Sequence, residues 1–422
     1  MQSISAWETG ALRIVLVVAA AATGCAAHTA APEEPQGAKP AAPPAVPPGE
    51  RGWIRLPYLP TDLRFGGYAK LDVLHDIGPA QGLYNYVPGI PLDDTAPAER
   101  RGQTKLHARE SRIVMETRTP EAFGSVTAAT LLEADFLTDE GSETQTNSAR
   151  LRLRRYFGVL GRVLAGQHWS NFMDLEVIPE TVDDAGPSGQ IFIRQPQLRY
   201  THPLGDGSEC AVSVENGSAD IVVADESDPS PLQRLPDFIG RCMTSWAWGH
   251  ISSSALLREF RIDDGGSRSS ASFGYGFGLS GSLRLRRDRI LYELNGGHGI
   301  GRYIIDLAGY GARLDGEGGV EPLLEAGGFV AYEHWWSHAV RSTVLVSRTK
   351  LFSCTSGAVS CGGPSGLNRM TQSIHANVYW DVTSTVEIGL EYSRGSRETL
   401  GGDSGHSDRV QLGITFYLRP PR

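Results

Sequence analysis

Phe273-Gly274-Tyr275-Gly276-Phe277-Gly278-Leu279-Ser280-Gly281-Ser282-Leu283-Arg284-Leu285-Arg286 reads with a period of two. One face carries Phe273, Tyr275, Phe277, Leu279, Leu283 and Leu285; the other carries only glycine, serine and arginine, apart from Gly281 on the apolar side. An extended chain sends successive side chains to opposite sides, so this stretch is a two-faced strand. In water its aromatic row would need a protein cover along the whole length. In the wall of a membrane barrel that row meets lipid, and the small polar row meets the lumen. A tilted strand crosses a bilayer in about 9–11 residues, which this stretch provides.

The alternation recurs. Arg150, Arg152 and Arg154 interleave with Ala149, Leu151 and Leu153. Ile374, Ala376, Val378 and Trp380 form one face of another segment, Val386, Ile388, Leu390 and Tyr392 of the next, and Val410, Leu412, Ile414, Phe416 and Leu418 of the last. Lys105–Thr119 and Val163–Phe172 alternate less regularly. Short turns at Pro120–Gly124, His202–Gly207, Trp248–His250, Trp336–His338 and Asp381–Ser384 are set between long polar connections. Those fall at Ile77–Thr104, Leu175–Gly189, Gly217–Asp237, Gly296–Gly319 and Ser353–Arg369. Strands counted over Leu63–Leu418 number about sixteen, at about 23 residues per strand and connection. The fold expected is all-β: a transmembrane antiparallel β-barrel with short periplasmic turns and long extracellular loops. Trp335, Trp336, Trp380, Phe416 and Tyr417 sit beside turns, where interface girdles belong.

Composition agrees. The chain has 422 residues and 50 glycines but five methionines, which suits a β-rich wall. A formal charge of −9 argues against a nucleic-acid partner. Mean hydropathy is slightly negative, as alternating strands make it. Residues 1–27 read as a signal peptide, with Arg13 before an Ile14–Val18 apolar run and small residues around Cys25-Ala26-Ala27. Ala22-Thr23-Gly24-Cys25 also fits a loose lipoprotein site, so whether Cys25 is cleaved off or lipidated stays open. Residues 28–50 form a Pro/Ala-rich periplasmic linker, and 51–422 the outer-membrane barrel. Cys354 and Cys361 flank a Gly/Ser-rich loop and are expected to close it, leaving Cys210 to pair with Cys242. No Cys-x-x-Cys occurs and His250, His298 and His375 are scattered, so neither a metal nor another cofactor is expected.

Transport chemistry follows from the faces. Where leucines meet lipid, Arg150, Arg152, Arg154, Arg284 and Arg286 face the lumen, because a lipid-facing arginine near the midplane costs about 2–4 kcal/mol. Arg112, Arg194 and Arg199 join them from less regular strands. Guanidiniums two residues apart can pass a carboxylate from fork to fork. Glu325, Glu333, Asp381, Glu387 and Glu391 lie on the same polar faces, so the rows also suit a transverse field in a general diffusion pore. Met173–Gly189 reads as a constriction loop whose Asp174, Glu176, Glu180, Asp183 and Asp184 oppose the arginines, or as an ordinary exposed loop. No Gly-x-Ser-x-Gly, Walker loop or His-Glu-x-x-His is present, so no enzyme is expected. An outer-membrane barrel enzyme or an adhesin is the alternative of a different class. The partners expected are outer-membrane lipid and lipopolysaccharide, and small anionic solutes.

Several segments carry a family likeness. Gly52-Trp53-Ile54-Arg55-Leu56-Pro57 and Leu63–Asp72 resemble the opening of the DcaP-like outer-membrane porins. Ala165-Gly166-Gln167-His168-Trp169-Ser170-Asn171-Phe172-Met173-Asp174, Arg194–Tyr200, Asn295–Tyr303 and Gly389-Leu390-Glu391-Tyr392 are similar to further parts of that family. The resemblance spans roughly Gly52–Leu418. It implies a sixteen-stranded homotrimeric porin of the bacterial outer membrane admitting small anions, dicarboxylates in particular. Family members often carry a coiled-coil segment where this chain has its Pro/Ala linker. This sequence also ends Arg419-Pro420-Pro421-Arg422 rather than on an aromatic residue.

Overall fold

The computed structural model describes residues 52–138, 141–142, 146–222, 230–265, 269–315, 318–352 and 367–419. Sixteen strands form a closed antiparallel ring. In chain order they are β1 (Asp62–Pro79), β2 (Arg112–Phe123), β3 (Val126–Asp135), β4 (Arg152–Leu160), β5 (Val163–Trp169), β6 (Arg194–Gly205), β7 (Ser208–Glu215) and β8 (Asp237–Trp246). Then come β9 (Gly249–Asp263), β10 (Ser269–Leu285), β11 (Asp288–His298), β12 (Leu324–Trp335), β13 (Val340–Leu351), β14 (Asn368–Thr383), β15 (Val386–Thr399) and β16 (Ser404–Tyr417). Each pairs with its chain neighbour, and β1 closes the ring on β16 from Tyr68↔Tyr417 to Asp76↔Arg409. An uninterrupted ring leaves no strand edge to satisfy inside the bilayer.

The opening alternation takes the expected shape in β10. Phe273, Tyr275 and Phe277 are 56%, 46% and 61% exposed, while Gly274 and Gly276 are buried. Leu198, Val212, Leu257, Val344, Leu390 and Phe416 extend this bare apolar surface around the wall. A band of that extent facing water would drive association, whereas hydrocarbon accepts it. Trp336, Trp380 and Phe416 lie outward near the short turns, but Trp335 and Tyr417 do not belong to the girdle. Trp335 lies under the Arg341 guanidinium at 5.4 Å, and the Tyr417 hydroxyl donates to Glu387 at 3.0 Å, so both point inward.

The irregular segments are breaks in the wall. Arg101–His107 pairs with the far half of β1 and Arg112–Phe123 with its near half. The chain turns inward between them, at Ala108–Ser111, which shifts the phase of Lys105–Thr119. Short connections such as Asp206–Gly207 and Arg286–Arg287 gather at one end, and the long ones at the other.

Several long connections fold into the barrel, and two of them pack on each other. The β5–β6 connection brings Phe172, Met173 and Ile191 against Ile300, Tyr303, Ile304 and Leu307 of the β11–β12 connection. Both meet wall residues Ile239 and Leu256. Phe192 N donates to Tyr303 O at 3.0 Å and Ile305 N to Gln190 O at 3.0 Å, tying the two together. Each apolar side chain so buried contributes about 1.5–3 kcal/mol. This plug explains the glycine face of β10. A Cβ on Gly276 would stand 2.4 Å from Ile300 Cγ2, so only glycine admits the plug there.

Candidate functional site

Neighbouring strands β3 and β4 carry opposite charges on their inner faces. Asp135 stands opposite Arg152 and Glu133 opposite Arg155, with a register shift between Glu133 and Ala134. That bulge admits one extra residue on β4. As a result Arg152, Arg154 and Arg155 all turn inward, although strict alternation would separate Arg154 from Arg155. Arg152 grips Asp135 with two hydrogen bonds, Nε to Oδ1 and Nη2 to Oδ2, both 2.8 Å. Arg154 donates to Glu133 at 2.8 Å and to Asp135 at 2.7 Å, and Arg155 donates to Glu133 at 2.6 Å. Charge-assisted forks of this kind fix both partners.

Arg112 and Arg194 complete the cluster. Arg112 lies 3.9 Å from Glu133 and 5.3 Å over the Tyr68 ring. Arg194 shares the Trp169 ring with Arg154, their guanidiniums 4.8 and 6.0 Å from its centre. It lies within the field of Arg152, Arg154, Asp184 and Asp135, and its buried Nη1 has no hydrogen-bond partner among the described residues. Five guanidiniums thus face three carboxylates: Glu133, Asp135 and Asp184 of the β5–β6 connection. The patch keeps a local surplus of positive charge within a chain of net charge −9.

The Met173–Gly189 loop crosses the interior and is pinned along its length. Asp174 accepts from Ser280 at 2.7 Å and pairs with His250 at 2.9 Å. Glu180 takes a 2.5 Å bond from Arg341, which also holds Asp381 and Glu387. Val182 N donates to Glu391 at 2.8 Å, and Val182 O accepts from Lys70 at 2.8 Å. Asp183 accepts from Asn85 N at 2.8 Å and from Arg409 at 3.4 Å. Ser188 N donates to Ser373 at 3.2 Å and Gly189 O accepts from Asn295 at 2.8 Å. Burial alone would raise the Asp174 carboxyl, but the hydrogen bond and charge of His250 outweigh it and hold Asp174 below the usual range.

Several sequence expectations need correction. Of the loop acids, only Asp184 meets the arginine cluster. Asp174 and Glu176 lie at His250, Glu180 at Arg341 and Asp183 at Arg409, so they anchor the loop at separate wall sectors. Arg150 precedes β4 and is exposed, outside the wall. Arg284 is exposed at the end of β10, in register with Arg289. Arg286 lies beyond the strand in the short turn, with φ 62°. The alternation ran past the last paired residue, so neither belongs to a mid-lumen column. Arg199 faces inward but is held by Trp169 O at 2.5 Å and Gln197 at 2.8 Å, apart from the cluster. Cys210 and Cys242 are disulfide-bonded between register partners of β7 and β8. Cys354 and Cys361 lie outside the described residues.

Glu133 and Asp135 escaped sequence reasoning, and Arg155, which its place near a strand end assigns to the rim, is bonded to Glu133 inside the cluster. The spacing Leu132-Glu133-Ala134-Asp135 matches the Leu/Arg alternation of the next strand, and that complementarity was the available signal. One further cluster, Asp72, His107 and Glu110, brings donor atoms within 4.8 Å of one another. The Lys70 ammonium already bridges Asp72 and Glu110, so the chain supplies its own cation there.

A family model described as DcaP outer membrane protein matches residues 59–417. No curated protein matches the sequence. The outer membrane channel DcaP of Acinetobacter baumannii is similar in structure, with a TM-score of 0.73 at 21% identity, covering 85% of this chain and 97% of that one. An anion-selective porin from Comamonas acidovorans aligns with a TM-score of 0.54 at 10% identity over 85% of this chain and 100% of that one. Salmonella typhi OmpF gives 0.53 at 12% over 85% and 98%.

Proposed function

We propose, since this chain belongs to the DcaP outer membrane protein family and is an outer-membrane channel, that it passes small hydrophilic anions such as dicarboxylates. The observation that carries this reading is the cluster of five guanidiniums against three carboxylates at the long-loop end of β2–β4 and β6. Two of those acids are already saturated by Arg152, Arg154 and Arg155. Arg112 and Arg152 retain exposed surface, at 20% and 30% of their side chains, and offer it to a passing carboxylate. A positive patch in a narrow aqueous lumen concentrates anions despite the net charge of the chain.

A sector around Arg341, where Glu180, Asp381 and Glu387 outnumber one guanidinium, favours a second reading. In it the two sectors set a transverse field across a general diffusion porin. Reversal potential across a planar bilayer under a potassium chloride gradient separates the two. Anion preference in the parent that shrinks in Arg112→Ala/Arg152→Ala supports the first reading. No preference, or one unmoved by the double substitution, overturns it. Assembly as a homotrimer is part of the same proposal. A trimer form is known for a fold relative, the Vibrio cholerae outer membrane protein OmpT.

A further inference from the structure

We propose that Asp184 is a tethered competing ligand: its carboxylate holds the place on Arg112 and Arg152 that the carboxylate of a solute takes during passage. The inference rests on the anion-channel reading and adds the residue that sets how tightly a solute is held.

Three observations separate Asp184 from the other acids of the cluster. Its oxygens lie 3.8 Å from Arg112, 3.8 Å from Arg152 and 4.0 Å from Arg154, within reach of all three charges. No described residue donates a hydrogen bond to it, whereas Asp135 takes bonds of 2.7–2.8 Å from the same Arg152 and Arg154. A gap near 3.8 Å is attraction without a hydrogen bond, so Asp184 leaves at less cost than Asp135 would. Asp184 is also 20% exposed where Asp135 is 1% exposed, so solvent and solute reach the first and not the second.

Its backbone cannot follow. Val182 and Asp183 are fixed by Glu391, Asn85 and Arg409, so the side chain swings aside but returns at once. A tethered group competes at a high effective concentration. Conduction needs binding strong enough to draw the solute in and weak enough to release it, and a built-in competitor supplies the release.

The test is block of chloride current through the full-length channel by succinate, read as half-blocking concentration and dwell time. Asp184→Asn, with Asp184→Ser as a second neutral variant, is expected to lower the half-blocking concentration roughly three- to tenfold and lengthen dwell. Asp184→Glu reaches one methylene further, into hydrogen-bond range, and is expected to raise it several-fold. If the parent is anion-preferring and blocked by succinate but the neutral variants are unchanged, the inference fails while the channel reading stands. Asp184→Glu behaving like Asp184→Asn overturns it equally. A parent with neither anion preference nor block overturns the underlying reading, and this inference falls with it.

Discussion

Asp184 stands 3.8 Å from the Arg152 guanidinium without a hydrogen bond, although Asp135 grips that same guanidinium through two bonds of 2.8 Å. One arginine therefore has a structural side and an exposed side. The structural side welds β3 to β4; the exposed side faces the passage.

Arg154 and Arg152 are expected to part company on mutation. Arg154 is buried between Glu133 and Asp135, so Arg154→Ala removes two buried charge-assisted bonds, although Arg155 still holds Glu133 and Arg152 still holds Asp135, and costs about 1.5–3 kcal/mol. Arg152→Ala removes a partly exposed partner while Asp135 keeps Arg154, and costs about 1 kcal/mol or less. Urea unfolding of the refolded barrel measures both. Equal losses would show that the cluster does not divide in this way.

Gly189 sets how closely the loop presses on the wall. It has φ 78°, and a Cβ there would come 2.4 Å from Arg348 O and 2.6 Å from Gly328 N. Gly189→Ala is expected to lift this end of the loop, with a larger and noisier single-channel conductance and a loss of roughly 1–3 kcal/mol. An unchanged conductance level would mean that this end of the loop does not limit the passage.

Acid should release the other end. The Asp174 carboxyl is held below the usual carboxylate range in the folded chain. A depressed folded value means that its anchoring is fully present above the unfolded value, about 3.9, and is lost as pH falls through the lower folded value. The release of this anchor is therefore expected to change the conductance as pH falls below about 4. In Asp174→Asn the acid step should vanish. An acid step that survives in Asp174→Asn would assign the anchor to another group.

The Cys210–Cys242 bridge lies on the outer face, in phase with exposed Val212 and Val214. With a sequence separation of 32, its loss is expected to cost about 3–4 kcal/mol through the unfolded chain. Reversal potential should not move in Cys210→Ser/Cys242→Ser, because neither sulfur reaches the lumen. A selectivity change would contradict the assignment of that face.

Much of the wall was legible because its signal is local. Phe273, Tyr275 and Phe277 declare their face through their neighbours alone, and the long and short connections declare the two ends. The same rule failed at Arg155, where a bulge resets the phase, and at Arg286, where the strand stops before the pattern does. The break between His107 and Arg112 blurred Lys105–Thr119 for the same reason.

The sequence alone determined a lipid-facing barrel of about sixteen strands, since a two-residue period is fixed by the geometry of an extended chain. Only the tertiary structure decided which charges meet. Asp184 reaches Arg112 and Arg152, Glu180 reaches Arg341, and Asp183 reaches Arg409, because the loop carrying them crosses a lumen enclosed by distant strands. Those pairings depend on ring closure and on the apolar plug of Phe172, Ile300 and Tyr303, which no period in the sequence encodes.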